Sequence, residues 1–246
     1  MTASGNRVAV AVTGGSAGIG AEICRTFLDE GCDVVILDRA PPARSHERQH
    51  HVAVDLMDLP ATRAAAAEIA RRFDVTRFVH NAGVIRPALV EAAQAEDIAK
   101  LADLHLGSAL VLLQAFLPAM KAHGDARVVL MSSRAALGVA TRTAYSATKA
   151  AMIGMGRTWA LELAQHGITV NMVAPGPIGS TQMFEALVPP ASDVEANVVA
   201  SIPVKRLGRP SDVANAVRFF ASPHSGFVTG QTLYVCGGAS IGTAPL

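Results

Sequence analysis

Short apolar runs alternate along the chain with longer segments whose apolar residues recur every three or four positions. The short runs predict buried β-strands at 7–12, 33–38, 51–55, 76–80, 127–131, 167–173 and 231–236. The periodic segments predict helices at 18–30, 58–73, 94–121, 145–165 and 210–221. Strands that alternate with helices indicate right-handed crossovers and a parallel sheet covered on both faces. We therefore predict an α/β fold with a doubly wound parallel sheet.

A less regular segment, 178–206, interrupts this alternation and contains prolines at positions 189, 190 and 203. We interpret it as a flap over a substrate, because a lid excludes water and completes a site. Its apolar residues Met183, Phe184 and Leu187 could equally belong to an ordinary packed helix. No linker, repeat or charge block divides the chain, so we predict one domain over 1–246.

Composition and charge narrow the function classes. Half of the residues are apolar and the net charge is +1, which argues against nucleic acid or an anionic membrane as the main partner. The longest apolar stretch, 106–120, is broken by Gln114 and Pro118 and is too short to span a bilayer. Three scattered cysteines predict neither disulfides nor a metal site, and no signal peptide is evident, so we expect a cytoplasmic protein.

The polar residues and glycines that could bind a ligand all follow predicted strands. In a doubly wound sheet, ligands bind beyond the carboxyl ends of the strands, near the point where the strand order reverses. The residues at those ends are a glycine-rich turn after the first strand, then Asp38, Asp55, Asn81, Ser133 and the pair Pro175-Gly176.

The glycine-rich turn has the sequence Thr-Gly-Gly-Ser-Ala-Gly-Ile-Gly at 13–20. Gly14 permits the turn, Gly18 lets backbone amides approach a pyrophosphate, and Gly20 lets helix and sheet close up. Asp38 at the end of the second strand can accept hydrogen bonds from an adenosine ribose and repel a 2′-phosphate. The neighbouring Arg39 could accommodate that phosphate instead. The alternatives are a plain strand–helix turn and a solvated aspartate.

Tyr145 and Lys149 are four residues apart on a predicted helix and therefore project from nearly the same side. We predict that the ammonium favours the phenolate and lowers the pKa of the phenol, which makes the pair an acid–base group. Ser133, at the end of the fifth strand, is expected close to the phenol, with Ser132 as a lesser candidate. The alternative is a surface tyrosine beside a solvated lysine.

Five motifs in order now give a resemblance: Thr13-Gly14-x-x-x-Gly18-Ile19-Gly20, Asn81-Ala82-Gly83, Ser133, Tyr145-x-x-x-Lys149 and Pro175-Gly176. Together they resemble the short-chain dehydrogenase/reductase family, and within it the 3-oxoacyl-carrier-protein reductase-like members. The resemblance covers essentially the whole chain and implies a single-domain, Rossmann-like fold.

The resemblance also implies roles. Tyr145 would be the general acid or base, Lys149 would lower its pKa and bind the nicotinamide ribose, and Ser133 would hold the substrate oxygen. Asp55 and Leu56 would border the adenine. Ser180, or the adjacent Thr181, would reach the nicotinamide carboxamide. The alternative is that Ser180 and Thr181 are ordinary polar loop residues. The cofactor-binding residues would be Gly14, Ser16, Ala17, Gly18, Ile19, Gly20, Asp38, Arg39, Asp55, Leu56, Asn81, Ala82, Gly83, Tyr145, Lys149, Pro175, Gly176, Ile178 and Ser180.

Two departures from the family pattern matter. His80 precedes Asn81-Ala82-Gly83 where the family has an asparagine, and His105 stands where an asparagine would complete a catalytic tetrad. An imidazole could also hold a relay water, so His105 joins Ser133, Tyr145 and Lys149 as a candidate catalytic residue. The alternative is a packed helix residue. Ala17 replaces the basic residue common in NADP-preferring members, and with Asp38 it favours NAD.

We therefore predict an NAD-dependent oxidoreductase that interconverts a small-molecule secondary alcohol and a ketone, with NADP less favoured. The alternatives are an NADPH-dependent 3-oxoacyl thioester reductase and a dinucleotide-binding sensor or scaffold that has lost catalysis. The helix at 150–163 is apolar on most faces, which together with the resemblance predicts a homotetramer. Substrate determinants are expected in 134–142 and 184–204.

Overall fold

Seven parallel strands form one sheet in the order β3-β2-β1-β4-β5-β6-β7. The computed structural model describes residues 6–241. The strands are β1 Arg7–Thr13, β2 Asp33–Asp38, β3 Gln49–Ala53, β4 Phe73–His80, β5 Ala126–Met131, β6 Ile168–Pro175 and β7 Thr232–Val235. Because the chain runs outward from β1 to β3 and then crosses back to β4, the strand order reverses between β1 and β4, where a crevice forms.

Helices cover both faces of the sheet, which confirms the predicted doubly wound α/β fold. They are α1 Gly18–Asp29, α2 Leu59–Arg72, α3 Ala95–Ala102, α4 Ser108–His123, α5 Thr143–Leu163, α6 Gln182–Glu185, α7 Asp193–Ser201 and α8 Pro210–Ala221. One core lies between the sheet and α1 with α8, and the other lies between the sheet and α2, α4 and α5. Both cores consist mainly of Val, Ile, Leu and Ala, the residues that the strand runs supply.

Several predicted boundaries were wrong by two or three residues, among them those of β3 and β4. β3 is an edge strand whose residues are only partly buried, so its apolar pattern defined the start and end weakly. β4 begins at Phe73, which we had assigned to the preceding helix, and its register pairs Arg7 with Phe73. The Phe73 ring is buried in the core, and this packing outweighs the helical pattern that precedes it.

The helical segment predicted at 94–121 contains a π-turn. α3 and α4 are joined by a π-helical turn, Asp103–Gly107, with one extra residue in its hydrogen-bonded ring. Single π-turns inside α-helices are frequent at functional sites. This turn carries His105, whose side chain is fully buried.

The segment 178–206 contains two helices, α6 and α7, rather than an irregular flap throughout. No residue of either helix is buried in the part of the chain that the structure describes, and Met183 and Leu187 remain more than one third exposed. Neither helix therefore contributes a buried residue to the two cores.

The continuous helical segment Ala95–His123 is long and apolar enough to cross a bilayer, judged by length and composition alone. It is longer than the stretch we had assessed, because the π-turn joins α3 to α4. Half of its apolar window is buried inside the protein, and Leu112, Phe116 and Met120 are in the core. A core helix passes the same test, so this segment is weak support for a membrane span.

A pair of glycines tests the packing at one end of the sheet. Gly167 and Gly31 both have a left-handed backbone, with φ of +71° and +80°. A β-carbon on Gly167 would lie 2.0 Å from the carbonyl oxygen of Gly124, whereas one on Gly31 meets no described atom within 4 Å. We expect Gly31→Ala to lower the free energy of unfolding by about 1–2 kcal/mol through backbone strain. Gly167→Ala should lower it by about 1–3 kcal/mol more through the added clash.

Urea unfolding of both variants and the wild type measures this difference. Equal losses would contradict the close approach of the two loops at Gly124 and Gly167.

Candidate active site

The end of β1 is tied to the end of β4 at the point where the strand order reverses. The register pairs Thr13 with His80. The Thr13 hydroxyl accepts hydrogen bonds from the backbone N–H groups of Asn81, at 2.9 Å, and Ala82, at 3.0 Å. The Asn81 carboxamide donates to the carbonyl groups of Thr13, at 3.2 Å, and Gly14, at 3.0 Å. The segment after β4 is thus fixed to the glycine-rich turn.

The glycine-rich turn requires its glycines. Gly14 and Gly18 have left-handed φ values of +63° and +54°. A β-carbon on Gly20 would lie 1.9 Å from the carbonyl oxygen of Gly14, so only glycine fits there. α1 begins after Ala17, which provides no side-chain cap, and its first turn contains no acidic residue. The first backbone N–H groups of α1 are therefore available to an anion such as a pyrophosphate.

Asp38 lies beside this turn, as the sequence suggested. Its carboxylate accepts hydrogen bonds from the backbone N–H groups of Ser16, at 3.1 Å, and Ala40, at 3.4 Å. Arg39 is directed elsewhere: it forms an exposed ion pair with Asp55 at 4.0 Å. The charge nearest to the glycine-rich turn on this side is therefore negative.

The remaining predicted adenine and nicotinamide residues differ in their accessibility. The side chains of Leu56 and Ile178 are buried in the two cores, so only their backbone can reach a ligand. Gly176 packs against β7, where a β-carbon would lie 2.7 Å from that of Cys236. Ser180 has a left-handed φ of +56° and follows Pro175–Ile178 into α6. Thr181 caps α6 and lies over Gly18, whose β-carbon would be 3.4 Å from its methyl group.

Tyr145, in the first turn of α5, is buried beside Ser133. Burial raises the pKa of the phenol, while a hydrogen bond with Ser133 and the charge of Arg142 oppose that rise. The Ser132 hydroxyl instead donates to the carbonyl of Lys149 at 2.8 Å, which ties β5 to α5. Of the two serines, Ser133 is the one that reaches the phenol.

Lys149 is buried one turn further along α5. Its ammonium donates to the carbonyl of Met131 at 2.7 Å and lies 5.6 Å from the centre of the Tyr145 ring. Burial lowers the pKa of Lys149 to about 7. The amine therefore contacts a strand-end carbonyl and the ring rather than the phenolic oxygen.

Our prediction that Lys149 lowers the pKa of Tyr145 was wrong for this state of the protein. The pKa of Tyr145 is raised, and Lys149 is not among the causes of its shift. The physical reason is desolvation, which disfavours the charged form of both groups. Helical spacing correctly placed the two side chains on one side, but burial depth cannot be read from spacing.

His105 projects from the π-turn towards the same cluster. Its ring stands edge-on to that of Tyr145, with centroids 5.7 Å apart, and its Nδ1 atom lies 2.9 Å from the Thr148 hydroxyl. Burial, together with the charges of Lys149 and His80, lowers the pKa of His105 far below its ordinary value. His105 is therefore neutral and adjoins the Tyr145–Lys149 pair.

Sequence reasoning missed Thr148 as a partner of His105 and the Thr13 hydroxyl as the link between β1 and β4. Thr148 precedes Lys149 on α5, and its helical position alone gave no sign of a contact with another helix. Thr13 could have been found, because a hydroxyl at the last residue of a strand faces the end of its neighbour.

The comparisons with known proteins agree with this architecture. A family model described as enoyl-(acyl carrier protein) reductase matches residues 14–240. The chain therefore belongs to the short-chain dehydrogenase/reductase family of oxidoreductases. It is 36% identical over 246 residues to the (2S)-[(R)-hydroxy(phenyl)methyl]succinyl-CoA dehydrogenase subunit BbsD of Thauera aromatica, covering 96% of this chain and 97% of that protein. It is 33% identical to the 3-oxoacyl-[acyl-carrier-protein] reductase FabG of Escherichia coli K12, covering 92% and 95%.

Solved structures of similar fold carry either nicotinamide cofactor. A short-chain dehydrogenase from Leptospira borgpetersenii with bound NAD+ has a TM-score of 0.84 at 25% identity, covering 96% of this chain and 93% of that one. A gluconate 5-dehydrogenase from Burkholderia cenocepacia in complex with NADP and tartrate has a TM-score of 0.85 at 29% identity, covering 96% of both. Neighbours of this fold thus bind NAD or NADP.

The buried amine of Lys149 predicts a pH dependence of stability. Its pKa is about 7 in the folded protein, against an ordinary value of 10.5. Between these values the unfolded chain holds a proton that the folded protein has released, so this group makes stability rise with pH through that window. We expect Lys149→Met to remove this rise between about pH 7 and 9.5.

Urea unfolding at several pH values compares Lys149→Met with Lys121→Met, which removes an exposed lysine from α4. If the two variants change stability with pH in the same way, the lysine in the crevice is not desolvated.

Proposed function

We propose that this chain is an NAD(H)-dependent oxidoreductase that interconverts a secondary alcohol and a ketone, with Tyr145 as general acid and base. The observation that carries the proposal is the cluster of Ser133, Tyr145 and Lys149 beside the reversal of strand order. When bound, the nicotinamide supplies the hydride, and the protein supplies orientation and the proton.

Each group in the cluster has one task. The Tyr145 phenol gives its proton to the carbonyl oxygen during reduction and takes it back during oxidation. Ser133, which already hydrogen-bonds the phenol, holds the same substrate oxygen in line with it. Lys149, whose amine lies 5.6 Å from the centre of the Tyr145 ring, would hydrogen-bond the ribose of the nicotinamide.

The dinucleotide would lie across the ends of β1 and β4. The uncapped start of α1 and the glycines at 14, 18 and 20 suit the pyrophosphate. Asp38, Arg39, Asp55 and the backbone at 56 would surround the adenosine, and the segment 81–83 would line the middle of the cofactor. The loop at 175–180 and Thr181 would border the nicotinamide.

Asp38 supports a preference for NAD over NADP. Its carboxylate lies next to the Ser16 N–H, where the adenosine ribose is expected, and a 2′-phosphate there would meet a like charge. Arg39, the residue that could have reversed this preference, is paired with Asp55.

A second candidate function is reduction of a 3-oxoacyl thioester, or the reverse oxidation of a 3-hydroxyacyl thioester. Its support is that both named relatives act on such compounds: one on a hydroxy-substituted succinyl-CoA and the other on 3-oxoacyl groups of a carrier protein. The charge of Arg142, which acts on Tyr145, would favour an anionic substrate such as a coenzyme A thioester. An NADPH-dependent reductase is the form that Asp38 disfavours.

We also propose a cytoplasmic homotetramer. Three free cysteines, Cys24, Cys32 and Cys236, suit a reducing compartment. On the outward side of α5, Leu161 is 84% exposed, and a β-carbon on Gly154 would meet no described atom within 4 Å. A second copy packed on this side of α5 would remove that apolar surface from water.

Replacing Tyr145 by phenylalanine tests the proposed function. Tyr145→Phe should lower kcat by at least about 100-fold, because the proton donor is lost while the ring still packs. NADH binding, followed by its dihydronicotinamide fluorescence, should stay close to that of the wild type. Tyr234→Phe is the matched control, since Tyr234 is the other tyrosine of the chain and lies on β7.

The substrate panel for this test contains secondary alcohols, sugar acids and 3-hydroxyacyl-CoA thioesters. If the wild type turns over none of them faster than Tyr145→Phe does, but still binds NAD, a dinucleotide-binding sensor becomes the better interpretation.

Removing the carboxylate of Asp38 tests cofactor choice. Asp38→Ala should raise the ratio of kcat/KM with NADP to kcat/KM with NAD by at least about 10-fold, because the like-charge repulsion disappears. Glu68→Ala is the control, since Glu68 is half exposed on α2, paired with Arg72 and outside the proposed cofactor site. A ratio unchanged in Asp38→Ala, or changed equally in both variants, would assign discrimination to other residues.

A further inference from the structure

Two buried histidines adjoin the Tyr145–Lys149 pair. His80 at the end of β4 and His105 in the π-turn are both fully buried. Within residues 6–241, the Nε2 atom of each ring has no hydrogen-bond partner of normal geometry. Buried polar atoms without a partner are rare and costly, so the protonation of these two rings needs a physical explanation.

The tautomer of His80 follows from the Thr13 hydroxyl. That oxygen accepts two backbone N–H groups, from Asn81 and Ala82, which occupy both of its lone pairs. Its own proton is therefore donated to the Nδ1 atom of His80, 3.1 Å away. Since Nδ1 accepts, the proton of the neutral ring is on Nε2.

The Nε2–H group of His80 is directed at the π-turn, Asp103–Gly107. Burial lowers the pKa of His80 to about 3, and the backbone carbonyl groups of Leu104 and His105 oppose that lowering. These two carbonyls favour the protonated ring, although neither forms a hydrogen bond of normal geometry with Nε2. The ring of His80 is therefore neutral, and its Nε2–H group faces the π-turn that carries His105.

The tautomer of His105 follows from Thr148. The Thr148 hydroxyl lies 3.1 Å from the carbonyl oxygens of both Ala144 and Tyr145, to which it donates its single proton within α5. It therefore accepts from the Nδ1 atom of His105, 2.9 Å away, and that atom carries the ring proton. The Nε2 atom of His105 is then left with a lone pair.

The Nε2 atom of His105 and the amine of Lys149 both lie close to Gly83. The position of a β-carbon on Gly83 is 3.0 Å from Nε2 of His105 and 3.4 Å from Nζ of Lys149. The amine of Lys149 has at least two protons to donate, and the carbonyl of Met131 accepts a hydrogen bond from only one of them. A donor with unused protons and an acceptor without a partner thus lie within reach of one bridging water.

We propose that His105 is held as the Nδ1–H tautomer and that its Nε2 atom accepts a hydrogen bond from a water that Lys149 also binds. His105 is then a positioning residue: it acts on the reaction through Lys149, a role that rests on the proposed function. The opposite tautomer would point an N–H group at a second donor. The titratable groups that face His105 are Lys149, Tyr145 and His80, and all three are neutral or donate hydrogen bonds.

Nitrogen-15 NMR of the histidine rings tests the tautomers without any need for turnover. The two nitrogens of a neutral imidazole have well-separated shifts, so the protonated one is identified directly. His105→Gln and His80→Gln assign the two signals among the eight histidines of the chain. We expect Nδ1–H for His105 and Nε2–H for His80, each neutral from about pH 5 to 9.

The link to Lys149 is tested in the same spectra. Lys149→Met should shift the Nε2 resonance of His105, whereas Lys121→Met, at an exposed position on α4, should leave it unchanged. An Nε2–H tautomer for His105, or an Nε2 resonance that is the same in wild type and Lys149→Met, would overturn the proposal. If a histidine variant fails to fold, Thr148→Val assigns the His105 signal through the loss of the Nδ1 contact.

Kinetics test the positioning role. His105→Leu, which lacks an acceptor, should lower kcat by about 10- to 100-fold, the effect of losing one hydrogen bond to a charged group. His105→Gln can return an oxygen to the Nε2 position and should recover most of that loss. A folded, NAD-binding His105→Leu with the kcat and pH profile of the wild type would refute the role. A wild type without turnover would refute the proposed function while the tautomers are still decided by NMR.

Discussion

The hydrogen bonds that join the ends of β1 and β4 are the constraint on which the rest of the site depends. The Thr13 hydroxyl accepts hydrogen bonds from two backbone N–H groups just after β4. The Asn81 carboxamide donates two hydrogen bonds to carbonyl groups at the end of β1. Two parallel strands at a reversal of strand order, here β1 and β4, diverge beyond their last paired residues. These bonds keep them together, so the glycine-rich turn and Gly83 line the same crevice.

Burial, rather than charge pairing, controls the electrostatics of the candidate catalytic pair. Desolvation raises the pKa of Tyr145 and lowers that of Lys149, which favours the neutral form of both. A pair in this condition responds strongly to any charge that enters the crevice, because the surrounding dielectric is low. Ser133 and Arg142 already act in the direction that favours the phenolate.

The two departures from the family pattern are physically connected. His80 faces the π-turn whose carbonyls favour its ring proton, and that turn carries His105. Thr13 fixes the first ring and Thr148 the second. Threonines on β1 and α5 therefore set the tautomers of the two rings, and the π-turn lies between them.

The sequence by itself determined the order of strands and helices, the parallel sheet and the family, because apolar periodicity and glycine spacing are local properties. It also determined which side of α5 carries Tyr145 and Lys149. Tertiary structure alone decided the start of β4 at Phe73, the π-turn, the burial of the Leu56 side chain and the pairing of Arg39 with Asp55. It also decided the direction of the Tyr145 pKa shift. Each of these depends on how deeply a residue is enclosed and what faces it from a distant part of the chain, and a linear pattern carries no information on either.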